Sequence, residues 1–283
     1  MKQKIAILTD SSSSLYTVVH HYDNIFTIDI PCFLGDTMFK DFPKTGDGPF
    51  YDALKDFKGV PKTSQPSVGE TIEMYERIRD LGYTDIIYLP ISRELSGTYQ
   101  NALVGKDMVD GINITLVDTL TTVSMLSGMV LEAAKLAKEG KTIDDIISRV
   151  EDLKDRWAYY LTVNDLTGLV KNGRLSNAKK FVADILRIKP LIKFSKDGKL
   201  NAIQNIRTYK GAMREVVEKI ISEVDPVNGV IHVAYTNNTE DMEYVKSLIV
   251  EKLPNTKILV FTLPATVVAH LGLAAVGVGY INY

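Results

Sequence analysis

The chain has 283 residues, of which 45% are hydrophobic, and its 33 Lys and Arg against 35 Asp and Glu give a formal charge of −2. This length predicts two lobes or one large domain, and the balanced charge argues against nucleic acid or an anionic membrane as a stable partner. A single cysteine, Cys32, excludes an internal disulfide, and the four histidines lack zinc-site spacing. We therefore expect no bound metal or cofactor. Met1 leads straight into the first predicted strand, without the pattern of a signal peptide, so we also expect a cytoplasmic protein.

The first half of the chain alternates predicted strands with predicted helices. In chain order we predict strand 4–8, strand 27–30, a loop or short hairpin at 35–49, helix 67–81, strand 85–89, helix 98–109, strand 112–117, helix 122–138 and helix 143–153. Alternation at this spacing predicts a parallel, Rossmann-like sheet with helices on both faces.

The second half predicts a different arrangement. In chain order it contains strand 158–163, helices 165–172 and 176–186, strands 188–194 and 200–204, helix 210–223, strand 229–235, helix 239–252 and strand 257–262. Asp197-Gly198 between two extended runs is a hairpin signal, so the second lobe should be α/β with a mixed sheet. We therefore divide the chain near Arg156 into an N-terminal lobe, 1–156, and a C-terminal lobe, 157–283, with a ligand between them.

The last segment, 258–283, has no charged residue and is long enough to raise the question of a membrane span. Pro264, Gly272, Gly277 and Gly279 interrupt it. This punctuation favours a strand, a short buried helix and a final strand.

Hydroxyl-rich loops follow three of the predicted parallel strands, at 10–13, 95–98 and 118–122. Ligands of open α/β sheets bind beyond the carboxyl ends of the strands, so these loops should meet at one edge. Capping of helices is the simpler explanation for each loop, and the carboxylates of Asp10 and Asp118 favour it. The best binding candidate is Ser96 with Gly97, because a glycine at a helix start lets an anion approach backbone N–H groups.

Other polar residues are candidates with structural alternatives. Thr63 could donate a hydroxyl to the same ligand, although Pro66 and a cap at Ser64 or Ser67 explain that segment as a helix entry. Arg174 or Arg207 could orient a carboxylate or phosphate, and Lys171–Arg174 also suits a helix C-terminus. His270 is either a core histidine or a hydrogen-bonding group at a ligand mouth. The sequence has no P-loop and no GxSxG motif.

Six segments, in order, resemble the DegV family, the fatty-acid-binding subunits of bacterial fatty acid kinase. They are Ile7–Ser13, Thr63–Glu70 with Thr-Ser-Gln-Pro, Ser92–Gln100 with Ser-Gly-Thr-Tyr, Lys171–Ser176, Ile188–Pro190 and Ala269-His270.

The resemblance implies two α/β lobes with a long-chain fatty acid buried between them. It implies a carboxylate near Thr63, Ser64, Ser96, Gly97 and His270. Head-group or partner contacts would come from Arg174, Arg207 and Thr98. It also implies that a separate ATP-binding kinase subunit phosphorylates the carboxylate, so this chain would carry lipid without catalytic residues of its own, with only transient membrane contact and a place in phospholipid metabolism.

One departure concerns the segment after the histidine, where the family often has Thr-Gly-Pro-Gly and this chain has Leu271-Gly272-Leu273-Ala274. The change puts the local loop geometry at issue. Two other functions remain open: a hydrolase or small-metabolite phosphotransferase that uses Ser96, and a ligand-sensing protein without a kinase partner.

Overall fold

The computed structural model describes residues 3–180, 188–236 and 238–283. Its strands are β1 (Ile5–Asp10), β2 (Ile25–Ile28), β3 (Cys32–Leu34), β4 (Thr37–Phe39), β5 (Lys62–Thr63), β6 (Asp85–Tyr88), β7 (Asn113–Leu116), β8 (Trp157–Val163), β9 (Lys189–Phe194), β10 (Leu200–Ile206), β11 (Gly229–Tyr235), β12 (Lys257–Thr262) and β13 (Ala275–Asn282). Its α-helices are α1 (Phe42–Thr45), α2 (Gly48–Asp56), α3 (Val68–Asp80), α4 (Thr98–Lys106), α5 (Val123–Lys138), α6 (Ile143–Lys154), α7 (Thr167–Lys171), α8 (Tyr209–Glu223), α9 (Thr239–Lys252) and α10 (Ala265–Leu271).

The first sheet is parallel, with four strands in the order β2-β1-β6-β7. Every residue of β1 is buried, as expected for a strand with helices on both faces. Tyr75 and Ile78 of α3 and Ala102 of α4 form the core on one face, and α5 packs against the other. The predicted parallel sheet is confirmed.

The second sheet is mixed, with six strands in the order β10-β9-β8-β13-β11-β12. Only its β11–β12 pair is parallel. The predicted hairpin joins β9 to β10, and Gly198 at its turn has a φ of +82° that favours glycine. Helices α8 and α9 cover the outer face. The predicted α/β class with a mixed second sheet is confirmed.

Helix α5 lies between the two sheets and packs against β1 on one side and against β11 and β13 on the other. Side chains from both sheets therefore belong to one continuous core, which includes Ile7, Leu126 and Leu161. The helix approaches β13 so closely that a Cβ on Gly128 would lie 2.3 Å from Ile281. The predicted boundary near Arg156 falls between the strands of the two sheets. That the two parts are separate domains stays a prediction.

The segment at 35–49 was expected to be a loop or short hairpin, and it holds more structure than that. A three-stranded antiparallel sheet, β4-β3-β5, contains the hairpin, and helices α1 and α2 follow. Pro43 and Pro49 lie in the first turns of these helices, where proline is well tolerated. Proline is also typical of loops, which is why the sequence predicts a loop where these two helices begin.

Other differences are smaller. The second strand is Ile25–Ile28 rather than 27–30, and α4 ends at Lys106 rather than near 109. In the described part of the predicted helix 176–186 there is a 3-10 turn at Ala178–Lys180, and residues 181–186 lie outside the described residues. The uncharged tail forms β12, α10 and β13 as predicted. Within the ranges that the structure describes, no helix combines the length and apolar character needed to cross a bilayer.

Replacing Gly168 of α7 by alanine should destabilise the protein, because its Cβ would lie 2.4 Å from the backbone carbonyl oxygen of His270. We expect a loss of about 1–3 kcal/mol in unfolding free energy, as for overpacking elsewhere. Urea unfolding measures it, with Gly48→Ala as the control, since a Cβ on Gly48 meets nothing within 4 Å. Equal stability of the two variants would contradict this packing of α7 on α10.

Candidate functional site

Asp10 joins two of the loops at the carboxyl edge of the parallel sheet. Its buried carboxylate accepts hydrogen bonds from Ser12 N at 3.0 Å, Ser12 Oγ at 2.5 Å and Ile91 N at 2.7 Å. Burial raises the pKa of Asp10 to about 6, although these hydrogen bonds oppose the shift. Asp10 thus fixes the loop after β1 to the loop after β6, as expected for a structural carboxylate.

The third loop, after β7, meets the same edge. Thr122 Oγ1 donates to Ser12 O at 3.3 Å, and Ser92 N donates to Thr121 O at 2.9 Å. Asp118 binds the Arg93 guanidinium, with 3.2 Å between Oδ2 and Nε. The clustering of the three hydroxyl-rich loops at one edge of the sheet is confirmed.

The segment Ser96–Thr98 opens α4. Ser96 Oγ lies 2.8 Å from Thr98 Oγ1 and also accepts from Thr98 N at 3.3 Å. Gly97 is the residue before the helix, and a Cβ there would lie 3.0 Å from the Gln65 side chain. Among the described residues, the Gly97 N–H has no backbone acceptor. This turn can present the Ser96 hydroxyl and a backbone N–H to an anion.

Thr63 reaches the site through the small antiparallel sheet, in which it pairs with Cys32. Its Oγ1 lies 2.9 Å from His270 Nε2, a contact that spans 207 residues of sequence. His270 lies on α10, whose first N–H, that of Ala265, donates to Asp47 Oδ1 at 2.7 Å. The structure therefore brings the predicted Thr63 and His270 together from opposite halves of the chain.

The His270 imidazole is neutral in this setting. Burial, with a smaller contribution from the positive charge of Arg174, lowers its pKa to about 4. Its Nδ1 is buried and has no hydrogen-bond partner among the described residues. A neutral imidazole has one N–H donor and one acceptor nitrogen, so His270 can extend the Thr63 contact by a hydrogen bond to a ligand.

Arg174 lies at the same place and is tied down by backbone carbonyls. Its Nε donates to Leu95 O at 3.0 Å, and its Nη1 donates to Asn172 O at 2.5 Å. No carboxylate of the described residues pairs with it. Its charge is therefore available to an anionic ligand.

These four side chains border a pocket whose lining is otherwise mostly apolar. The pocket has about 690 Å³ of empty space, a figure that includes solvent at its open mouth. Besides Thr63, Ser96, Arg174 and His270, its lining comprises Ile30, Ile91, Leu95, Thr122, Val123, Tyr159, Leu161, Leu169, Phe194, Leu200, Leu263, Thr266, Val267, Leu271 and Gly277. This lining matches an apolar ligand that carries one anionic group.

Three predicted residues are placed elsewhere. Ser64 is exposed, lies outside the pocket lining and directs its Oγ to Gln65 O at 3.4 Å. Arg207 is exposed just after β10 and also lies outside the lining. Thr98 is buried and reaches the site only through Ser96. The structure gives Ser64 no support as a carboxylate ligand.

The altered segment after His270 keeps its turn. Gly272 ends α10 with a φ of +75°, and Thr236 Oγ1 donates to Leu273 O at 2.8 Å. Neither Leu273 nor Ala274 lines the pocket. Leu271, which stands where the family often has Thr, does line the pocket, so the departure changes one lining side chain from polar to apolar.

Two residues that contribute to the site were not predicted from the sequence. Thr266 lines the pocket one helical turn before His270, a spacing of four residues that could have revealed it. Asp47 anchors α10 from 218 residues away, and nothing in the local sequence signals that contact.

Ser96 and His270 do not form a nucleophile–base pair. In the described part of the chain, Ser96 Oγ bonds to Thr98 and His270 bonds to Thr63, so the serine has no histidine base. The same residues 3–180, 188–236 and 238–283 contain no group of three metal-ligating side chains. The fold and site define a protein of the ligand-binding class, with a mostly apolar pocket bordered by polar side chains from both halves of the chain.

The comparisons place this chain more narrowly, and it belongs to the DegV family. The family model, described as "Uncharacterised protein, DegV family", matches residues 4–283. A DegV domain-containing protein of Staphylococcus aureus is 31% identical over 284 residues, covering 99% of this chain and 98% of that protein.

Solved structures give the same result. A fatty acid binding DegV family protein from Streptococcus agalactiae superposes with a TM-score of 0.90 at 26% identity and covers 99% of both chains. DegV from Bacillus subtilis, described as a fatty acid binding protein, gives a TM-score of 0.85 at 26% identity over 99% of this chain and 100% of that chain. The two-lobed α/β fold is shared with these proteins.

We predict that His270 stays neutral across the physiological range, because its folded pKa of about 4 lies below the ordinary histidine value. Proton NMR should show a His270 Cε1–H resonance that does not titrate above about pH 5, assigned by its loss in His270→Gln. By linkage, the stability that this group contributes is present above the unfolded pKa and is lost as pH falls below it toward 4. A titration midpoint near 6.5 would contradict the burial of this ring.

Proposed function

We propose that this protein binds a long-chain fatty acid, with the acyl chain in the apolar pocket and the carboxylate at its polar end. The observation that carries the proposal is the meeting of Thr63, Ser96, Arg174 and His270 at one pocket. The solved relatives from Streptococcus agalactiae and Bacillus subtilis, both described as fatty acid binding, support it.

The apolar lining supplies the binding energy in this proposal. Burying a methylene group is worth about 0.8 kcal/mol, so roughly 16 carbons contribute on the order of 12 kcal/mol before ordering costs. The carboxylate contributes little net affinity and must avoid an unsatisfied buried charge. It therefore sets the orientation of the ligand, while the chain sets the affinity.

The carboxylate finds several donors at the polar end. The neutral Thr63–His270 pair has one hydrogen left to give in either tautomer. It is the Thr63 hydroxyl hydrogen when Nε2 carries the ring proton, and the Nδ1–H when Nδ1 carries it. Ser96 and the Gly97 N–H add two further donors, and Arg174 adds the compensating charge. Ser96 acts here as a hydrogen-bond donor rather than a nucleophile.

Ser96→Ala should weaken fatty-acid retention while the protein still folds. A lost hydrogen bond to a charged group corresponds to about 1.5–3 kcal/mol, or roughly tenfold or more in affinity. Solvent extraction of the natively purified protein, followed by mass spectrometry, measures the lipid load. The control is Ser222→Ala, an exposed serine on α8.

Two results would count against the proposal. If the wild-type protein carries no fatty acid and binds none when it is added, the proposed function is wrong. An unchanged lipid load in Ser96→Ala would remove the assigned role of Ser96.

We further propose that the bound carboxylate is the substrate of a separate ATP-binding kinase subunit, in the cytoplasm, and is converted to an acyl phosphate for phospholipid metabolism. The sequence resemblance motivates this step, and the sequence contains no P-loop of its own. Arg207 is exposed and outside the pocket, so it is available for partner contact.

Arg207→Ala should lower acyl-phosphate formation in a mixture of this protein, the kinase subunit, fatty acid and ATP, while the lipid load stays the same. Loss of a charge at a protein interface slows association, and a several-fold drop in rate is expected. Arg156→Ala serves as the control, since Arg156 is exposed at the end of α6. No acyl phosphate from the wild-type protein would favour a ligand-sensing role without a kinase.

A further inference from the structure

The hydroxyl of Thr266 is an unused polar group inside the pocket. Thr266 is 5% exposed, lines the pocket and lies four residues before His270 on the same face of α10. Its Oγ1 is buried and has no hydrogen-bond partner among the described residues. A buried hydroxyl without a protein partner is uncommon in native structures, and an ordered water or a ligand atom usually satisfies it.

The position of Thr266 in α10 accounts for its lack of a partner among the described residues. A threonine inside a helix can donate to the carbonyl three or four residues earlier, but Thr266 is the second residue of α10, so Leu263 O and Thr262 O precede the helix. These two oxygens accept from the first half of the chain, Leu263 O from Tyr51 OH at 2.7 Å and Thr262 O from Ser14 Oγ at 3.0 Å. Neither of them is a hydrogen-bond partner of Thr266 Oγ1.

A second lining threonine shows the contrast. Thr122 Oγ1 donates to Ser12 O at 3.3 Å, so its hydrogen is already used. The neighbours of Thr266 in the lining, Leu263 and Val267, are apolar. A plain hydrocarbon chain would leave the Thr266 hydroxyl unsatisfied after binding.

We propose that this pocket selects an acyl chain bearing an oxygen, as a hydroxyl or keto group, which hydrogen-bonds to Thr266 Oγ1. The proposal rests on the proposed fatty-acid function and names the ligand class more closely. Four residues of helix rise by about 6 Å, and an extended chain advances about 1.2 Å per bond. With the carboxylate at His270 and the chain along α10, the oxygen lies roughly five bonds from the carboxylate.

The test offers the delipidated protein octadecanoic acid together with the positional isomers of hydroxyoctadecanoic acid, all in equal amounts. The bound acids are then extracted and quantified by mass spectrometry. We expect the wild-type protein to enrich at least one isomer with its hydroxyl in the first half of the chain several-fold over octadecanoic acid. Thr266→Val should lose this enrichment, and Thr266→Ser should keep it.

Two outcomes would overturn the proposal alone: octadecanoic acid is retained but no isomer is enriched, or the enrichment survives in Thr266→Val. Retention of no acid at all would overturn the proposed function as well, so the two failures are distinguishable. If Thr266→Val fails to fold, the competition experiment with the wild-type protein still decides the question, because it needs no variant.

Discussion

The position of α10 is the constraint on which the pocket depends. This seven-residue helix carries His270 and Thr266, and groups from the first half of the chain hold it at both ends. Asp47 accepts from Ala265 N at its start, and Thr63 contacts His270 near its end. Because these partners lie 218 and 207 residues away, the pocket wall forms only when both halves have folded together.

The same anchoring accounts for the chemistry of the pocket. Tyr51 and Ser14 donate hydrogen bonds to the two carbonyls just before Pro264 and α10. Gly168 of α7 permits the close packing that buries His270. Burial in turn keeps the imidazole neutral, so it acts through hydrogen bonds rather than through charge. Arg174, held by the carbonyls of Leu95 and Asn172, is then the cation of the site. Different residues therefore supply the hydrogen bonds and the positive charge of the site.

The sequence predicted the elements whose pattern is local. The buried run of β1, the alternation through β7 and the Asp197-Gly198 hairpin could be recognised from periodicity and turn residues. Helix α2 was missed because Gly48 and Pro49 open it. The two-residue strand β5 was missed because it exists only by pairing with β3.

The site divides in the same way. Thr63, Ser96, Arg174 and His270 were predicted from ordered motifs and do line one pocket. Ser64, the residue after Thr63, is exposed and lies outside the lining. Asp47 could not be predicted because its contact with α10 spans 218 residues, whereas the four-residue spacing from Thr266 to His270 was a local signal that went unused. Motif matching therefore found four polar residues that border the pocket but not the carboxylate that anchors α10.

The most direct measurement is a crystal structure of the natively purified protein with its bound lipid. Our account predicts electron density for an acyl chain inside the pocket, with the carboxylate within hydrogen-bond distance of Ser96 and of the Thr63–His270 pair. A carboxylate bound elsewhere, or a pocket that excludes an added fatty acid, would contradict it.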